Sequence, residues 1–121
     1  MKIGFSVATP EVDTPLLPAQ QGDFGANLDV LSEFGYDGVE VSIRQPKDLD
    51  VKVLRKEVES RGLEVASIHT AAIGFQDRIW LCHQDKSIRK EAMVRLKGAL
   101  EVASGFGVEV IIGSFRGQLS E

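Results

Sequence analysis

The sequence predicts an α/β fold of about four parallel strands alternating with helices, the N-terminal half of a (β/α)₈ TIM barrel. Short β-branched apolar runs recur between segments whose apolar residues fall at helical spacing, and glycines punctuate the ends of those segments. Length sets the extent. A closed barrel of this kind takes roughly 250 residues, and the chain has 121. It therefore reads as one partial barrel domain over 1–121 with strands five to eight absent, and a fourth helix is expected to start at Gln118-Leu119-Ser120-Glu121.

The first strand is predicted over residues 2–8. A long loop follows, rich in turn formers (Thr9-Pro10, Asp13-Thr14-Pro15, Pro18 and the stretch 22–25), and its length makes it a candidate lid or substrate wall. Helix one is expected over 26–34, with Leu28, Leu31 and Phe34 on one stripe and Gly35 as its stop. Strand two follows at 38–43. Helix two runs from an Asp50 N-cap to Arg61, with Val51, Leu54 and Val58 at helical spacing and Gly62 at the C-cap position. Strand three covers 64–70, and a loop holding Gly74, Trp80 and His83 leads to the longest helix, over 85–104. That helix is expected to bury Ile88, Ala92, Leu96, Ala99, Leu100 and Ala103. Gly105 and Gly107 end it, and strand four is predicted over 108–113. Helices between successive strands imply parallel pairing through right-handed crossovers.

Bulk chemistry narrows the function. With 43% hydrophobic and 26% charged residues the chain has the make-up of a soluble globular protein, with enough apolar side chains for a core. The net charge is −4 and the basic residues are spread along helices, so there is no electrostatic footprint for nucleic acid and a small metabolite is the expected partner. Cys82 is the single cysteine, which excludes an intrachain disulfide framework and points to a reducing compartment. The N-terminus carries no long apolar run and no segment approaches a membrane span, so no membrane partner is expected and a cytoplasmic location is the default. Strand one is not followed by Gly-x-Gly-x-x-Gly, nor is there a Walker-type loop, which removes the usual signs of dinucleotide and nucleoside triphosphate binding.

Side chains alternate along a strand, so polarity sorts the two faces. In strand two Val39, Val41 and Ile43 oppose Glu40, Ser42 and Arg44; in strand three Ala66 and Ile68 oppose Val65, Ser67 and His69. Strand four carries Val110 and Ile112 in register with Ser114 and Arg116. The apolar sets must pack under helices, which leaves Glu40, Ser42, Arg44, Ser67, His69, Ser114 and Arg116 for the barrel interior or its rim. A plain barrel interior is filled by Val, Ile and Leu, so this polarity implies a wet or ligand-filled site.

Three residues are candidate substrate contacts. His69 stands at a strand terminus, where barrel sites are built, and an imidazole there can act as donor, base or ligand near neutral pH. Glu40 lies deeper in strand two, where a carboxylate needs a compensating cation or a ligand. Arg116, on the rim, has the planar fork that clamps phosphate or carboxylate. His83 and Cys82 lack further metal donors, and His83 reads as preceding the Asp85 cap. Trp80 and Phe75 read as cover for a core edge, and Arg89, Lys90, Glu91, Arg95 and Lys97 as a solvated helix face with charge pairs.

The stretch Gly35-Tyr36-Asp37-Gly38-Val39-Glu40-Val41, the strand Val65-Ala66-Ser67-Ile68-His69-Thr70, and the segment from Ile88 through Ala103 to Gly107-Val108-Glu109-Val110-Ile111-Ile112-Gly113 together resemble the opening half of the xylose-isomerase-like barrel superfamily. Its members include sugar-phosphate isomerases and epimerases, hydroxypyruvate isomerase, inosose dehydratase and endonuclease IV. The resemblance implies a metal-dependent sugar or sugar-phosphate isomerase or epimerase, in which Glu40 matches the acidic residue of a Gly-x-Glu strand and His69 the strand-three histidine. It also implies that the divalent metal (Mn, Mg, Zn or Co) and the proton-transferring glutamates belong to strands five to eight. No metal is then expected on this chain alone, the catalytic residues are unassigned, and self-association through open sheet edges is expected. Alternatives are a non-catalytic half-barrel for binding or assembly, or a lyase or endonuclease-IV-like hydrolase of the same superfamily. The endonuclease branch takes a histidine from strand four, which Ile112-Gly113-Ser114-Phe115-Arg116 lacks.

Overall fold

The computed structural model describes residues 1–118; of the stretch 118–121, where a further helix is expected to start, 119–121 lie outside the described residues. Strands β1 (Gly4–Ala8), β2 (Gly38–Ser42), β3 (Glu64–His69) and β4 (Glu109–Ile111) form one sheet in sequence order, each neighbouring pair parallel. Helices α1 (Phe24–Glu33), α2 (Val51–Glu59), α3 (Ala71–Asp77) and α4 (Lys86–Phe106) connect them, with 3₁₀ turns at Pro46–Asp48 and Gly113–Arg116. This open parallel sheet matches half of a (β/α)₈ barrel, as the sequence predicts.

Aspartates set three of the helix starts. The side chain of Asp23 accepts from the Ala26 N–H, Asp50 from Lys52 and Val53, and Asp85 from Ser87, each filling backbone donors that a first turn leaves unpaired. Because Asp23 caps α1, that helix begins two residues before the predicted start at residue 26. Gly35, Gly62 and Gly107 follow the helices with φ of 78°, 72° and 67°, left-handed backbone that side-chain-bearing residues resist.

Helix α3 is the element the sequence conceals: the predicted loop after β3 contains it. It has no side-chain N-cap and carries a glycine mid-helix. Tertiary packing stabilises it instead. Ile73 packs with Ala92 of α4 and Phe115, and Gly74 lies so close to Trp80 that a Cβ there would stand 2.6 Å from the indole Nε1.

Between sheet and helices, Val7, Val39, Val41, Ile43 and Ile68 pack against Leu28 and Leu31 of α1, Leu54 and Val58 of α2, and Ala99, Val102 and Ala103 of α4. Phe34, expected on the α1 stripe, is instead its C-cap and 78% exposed, and two further expectations fail here. Leu100 is 51% exposed, because it lies about 100° round the helix from Ala99 and the buried stripe runs through Arg95, Ala99 and Val102 instead. A bulge also shifts the β2–β3 register: Val39 pairs with Val65 but Glu40 with Ser67. Ala66 is therefore the unpaired residue and is exposed, while Val65, assigned by alternation to the inner face, packs against the helix-side core. Strand β4 is shorter than the predicted 108–113. Gly113, with φ of 49°, turns the chain into the 3₁₀ turn.

The free edge of β1 is partly covered by its own loop. Gln20 forms a parallel bridge with Val7, donating to the Ser6 carbonyl at 3.0 Å and accepting from the Ala8 N–H at 2.8 Å.

Gly38→Ala tests the close approach of β2 to β3, since a Cβ at Gly38 would lie 2.7 Å from the Glu64 carbonyl oxygen. It should lower unfolding free energy by about 1–3 kcal/mol. Asp50→Ala, which removes only a cap, should lower it by about 1 kcal/mol. Urea titrations of both variants against the parent chain measure the difference.

Candidate functional site

Strand register builds the inner face in rows. Ser6, Glu40, Ser67 and Glu109 stand opposite one another across the four strands, and two residues further along come Ala8, Ser42, His69 and Ile111. The row between them, Val7, Val41, Ile68 and Val110, points the other way into the helix-side core. Glu40, Ser42, Ser67 and His69 thus share the face that alternation assigns to them. Glu40 and His69 are diagonal neighbours on adjacent strands, and His69 Nε2 lies 3.4 Å from Glu40 Oε2.

That contact is long and lacks hydrogen-bond geometry. His69 Nε2 is buried without a hydrogen-bond partner, and so are Ser42 Oγ and Ser67 Oγ. Ser42 is 0% and Ser67 7% exposed, whereas the side chains of His69 and Glu40 are 22% and 43% exposed. The wall therefore combines a reachable carboxylate, a partly exposed imidazole whose Nε2 is buried, and two sealed hydroxyls. A buried polar atom without a partner costs about 1–3 kcal/mol, which a ligand bearing hydroxyl groups would relieve.

Over Ala8 and Ser42 the face is not open. Ala8, an inner-face residue, is buried in a small apolar cluster with Val12 and Leu17 of the β1–α1 loop and Ala72 of α3, joined by Phe75. Thr9 continues the β1–β2 pairing past Ala8, donating to the Ser42 carbonyl from the backbone N–H at 3.0 Å and from Oγ1 at 3.2 Å. From the loop after β1, Val12 and Leu17 thus pack with Ala72 of α3, an element the sequence reading did not predict, over Ala8.

Beside this cluster stands an ion network that sequence reading missed. Arg44, expected on the inner rim, reaches Asp77 of α3 with its Nη2 at 2.7 Å from Oδ1. Arg95, expected on a solvated helix face, is 8% exposed and donates to Asp77 Oδ2 at 3.0 Å, to the Arg44 carbonyl at 2.7 Å and to Glu91 at 2.8 Å. Burial by itself would raise the Asp77 carboxyl, but hydrogen bonds and charge from Arg44 and Arg95 outweigh it and hold the group below the ordinary carboxylate value. A signal existed in Arg95, which lies in helical register with Ala92 and Ala99 on the apolar stripe.

Arg116 and Ser114 stand on the 3₁₀ turn after β4, both exposed, instead of continuing the strand toward the interior. Among the described residues Arg116 forms no ion pair with Glu40 or any other carboxylate. His83 stacks on Trp80 with centroids 6.1 Å apart, and its Nδ1 accepts from the Asp85 N–H, which supports the start of α4. No group of three or more His, Cys, Asp or Glu stands together among the described residues. The pair Glu40 and His69 offers two donors, so the divalent metal implied by resemblance does not fit the residues described.

A family model described as xylose isomerase-like TIM barrel matches residues 28–121, a span that includes β2, β3, β4 and the Glu40–His69 pair. The chain belongs to that family. Among solved structures it is similar to an AP endonuclease, family 2, from Brucella melitensis, with 18% identity and a TM-score of 0.47. That likeness covers 89% of this chain and 38% of the other, so the chain spans well under half the length of the structure it matches. A search of curated proteins finds no match. No helix among the described residues of this family member is long and apolar enough to cross a membrane.

Asp77→Ala should cost about 3 kcal/mol, the low end for breaking a buried pair, because Arg44 is about a third exposed and so partly screened. The acid limb follows from the depressed carboxyl. Its stabilisation is present above the unfolded value near 4 and is lost as pH falls through the lower folded value. Urea midpoints measured from pH 6 down to about pH 2.5 should fall less steeply in Asp77→Asn than in the parent.

Proposed function

We propose that this chain supplies the substrate-contacting wall of a metal-dependent sugar or sugar-phosphate isomerase or epimerase. The observation that carries the reading is the group of buried unpaired polar atoms, Ser42 Oγ, Ser67 Oγ and His69 Nε2, on one face toward the C-terminal ends of β2 and β3. Barrel enzymes of this architecture bind substrate at that end. Hydroxyl and imidazole groups match the donors and acceptors of a small polyhydroxylated molecule, and the carboxylate of Glu40 can accept from a sugar hydroxyl. Family membership supports the architecture, and the isomerase or epimerase chemistry is the reading we place upon it.

In this reading Glu40 and His69 orient substrate hydroxyls, Arg116 serves a charged end of the substrate, and the metal and the proton-transferring carboxylates are supplied outside the described residues. Chemistry beside a carbonyl then needs groups that this wall does not hold. The 121-residue chain by itself is expected to show no isomerase turnover and no tight site for Mn²⁺, Mg²⁺ or Zn²⁺ by calorimetry. Nucleic acid is not part of the proposal, since the net charge is −4. Self-association is the second expectation, because the edge of β4 is bounded by no further strand among the described residues; sedimentation of a purely monomeric, cooperatively folding chain would count against it.

Proton NMR of the two imidazoles tests the wall directly. Titration with D-xylose or a pentose 5-phosphate should move the His69 ring signals and leave those of His83 in place. If neither sugar moves His69, the substrate reading fails. In a barrel completed with strands five to eight, His69→Asn should lower kcat/KM by about 10–1000-fold, the range for a positioned donor or acid–base group. Metal affinity should change far less.

A further inference from the structure

We infer that Glu109, at the start of β4, joins Glu40 to make the inner wall an acidic subsite that takes the uncharged, hydroxyl-bearing part of a sugar and turns a phosphate away. For the ligand this rests on the substrate reading; for the charge it rests on strand register and ion pairing. Glu109 pairs with Ser67, which pairs with Glu40, so the serine stands between two carboxylates in one row. Val110 packs with the helix-side core, which leaves Glu109 on the inner face by alternation. Neither carboxylate is neutralised there. Among the described residues Glu109 enters no ion pair, and Glu40 meets only the His69 imidazole at 3.4 Å.

Two carboxylates alone name no ligand, and Ser67 adds the second observation. It is 7% exposed, flanked in register by the two glutamates, and its Oγ has no hydrogen-bond partner. Carboxylates only accept, while a hydroxyl both donates and accepts. A sugar hydroxyl matches this row, since it can donate to either glutamate and exchange a hydrogen bond with Ser67. A phosphate does not. Its oxygens are negatively charged acceptors, so opposite Glu40 and Glu109 no proton lies between the groups and like charges face each other.

The cations around the wall do not restore the balance. Arg44 and Arg95 are both engaged by Asp77 of α3, and Lys2 pairs with Glu64. Arg116, without an ion pair among the described residues, stands on the 3₁₀ turn after β4, where its carbonyl accepts from the Cys82 N–H at 3.2 Å. A sugar phosphate therefore binds with its hydroxyls over Ser67 and its phosphate directed away from the Glu40–Glu109 row.

Glu109→Gln in the 121-residue chain tests the subsite, since it removes one charge at nearly constant shape from an exposed position. Glu101→Gln, at an exposed position on α4, removes the same charge elsewhere and serves as the control. The first readout needs no sugar: relaxation of the His69 ring protons by a cationic and by an anionic nitroxide. We expect the cationic probe to act about threefold to tenfold more strongly on the parent chain, with that ratio roughly halved by Glu109→Gln and nearly unmoved by Glu101→Gln. The second readout is the shift of the His69 ring signals on titration at about pH 8, where a phosphate monoester is doubly charged. D-xylose should half-saturate at about tenfold lower concentration than pentose 5-phosphate, and Glu109→Gln should narrow that gap by about threefold. A nitroxide ratio near one, a ratio that Glu109→Gln leaves unchanged or Glu101→Gln lowers equally, or a pentose 5-phosphate that binds as tightly as D-xylose overturns the inference. If neither sugar shifts His69 while the nitroxide ratio behaves as expected, the substrate reading alone is sunk.

Discussion

The carboxylate of Asp77 fixes three pieces of the chain that no apolar contact alone would orient. It receives Arg44 from the end of β2 and Arg95 from the buried stripe of α4, while itself belonging to α3. Helix α3 has seven residues, no capping side chain and a central glycine, too little for a helix to persist on its own. Anchored by Asp77 at one end and by Ile73 against Ala92 and Phe115 along its length, it becomes a rigid surface on which the β1–α1 loop can rest. Removing the carboxylate would leave the buried Arg95 guanidinium with Glu91 as its remaining charge partner and Arg44 beside it, which is why the network is expected to weaken as acid protonates Asp77.

Much of the fold was legible because local signals agreed with one another. Asp50 and Asp85 sit where caps are required, Gly35, Gly62 and Gly107 sit where the backbone turns left-handed, and Val39, Val41 and Ile43 alternate cleanly against Glu40 and Ser42. Where the reading failed, an interaction distant in sequence had overridden the local pattern. The bulge at Glu40 cannot be seen within β3 itself, yet it moves Val65 to the helix side and exposes Ala66. Helix α3 has no start signal, and Arg95 looks solvated until Asp77, 18 positions earlier, is placed beside it.

For the candidate site, alternation was enough to put Glu40, Ser42, Ser67 and His69 on one face, because the shift at the bulge precedes Ser67 and leaves the rest of β3 in step. It was not enough for Arg116, since strand four ends sooner than its apolar run suggests and Gly113 turns the chain away. Nor could it show that Ala8 is sealed, which depends on where the loop and α3 settle. Family membership, carried by residues 28–121, agrees with the register and says nothing of that packing.

Gln20 gives the two margins of the sheet different characters. By bonding to Ser6 and Ala8 it blunts the upper part of β1, so that an incoming strand finds continuous backbone donors and acceptors only nearer Gly4. On β4 no further strand pairs among the described residues, and the side chains of Ile111 and Ile112 are exposed. Among the described residues the two margins therefore differ in how much backbone they leave unpaired.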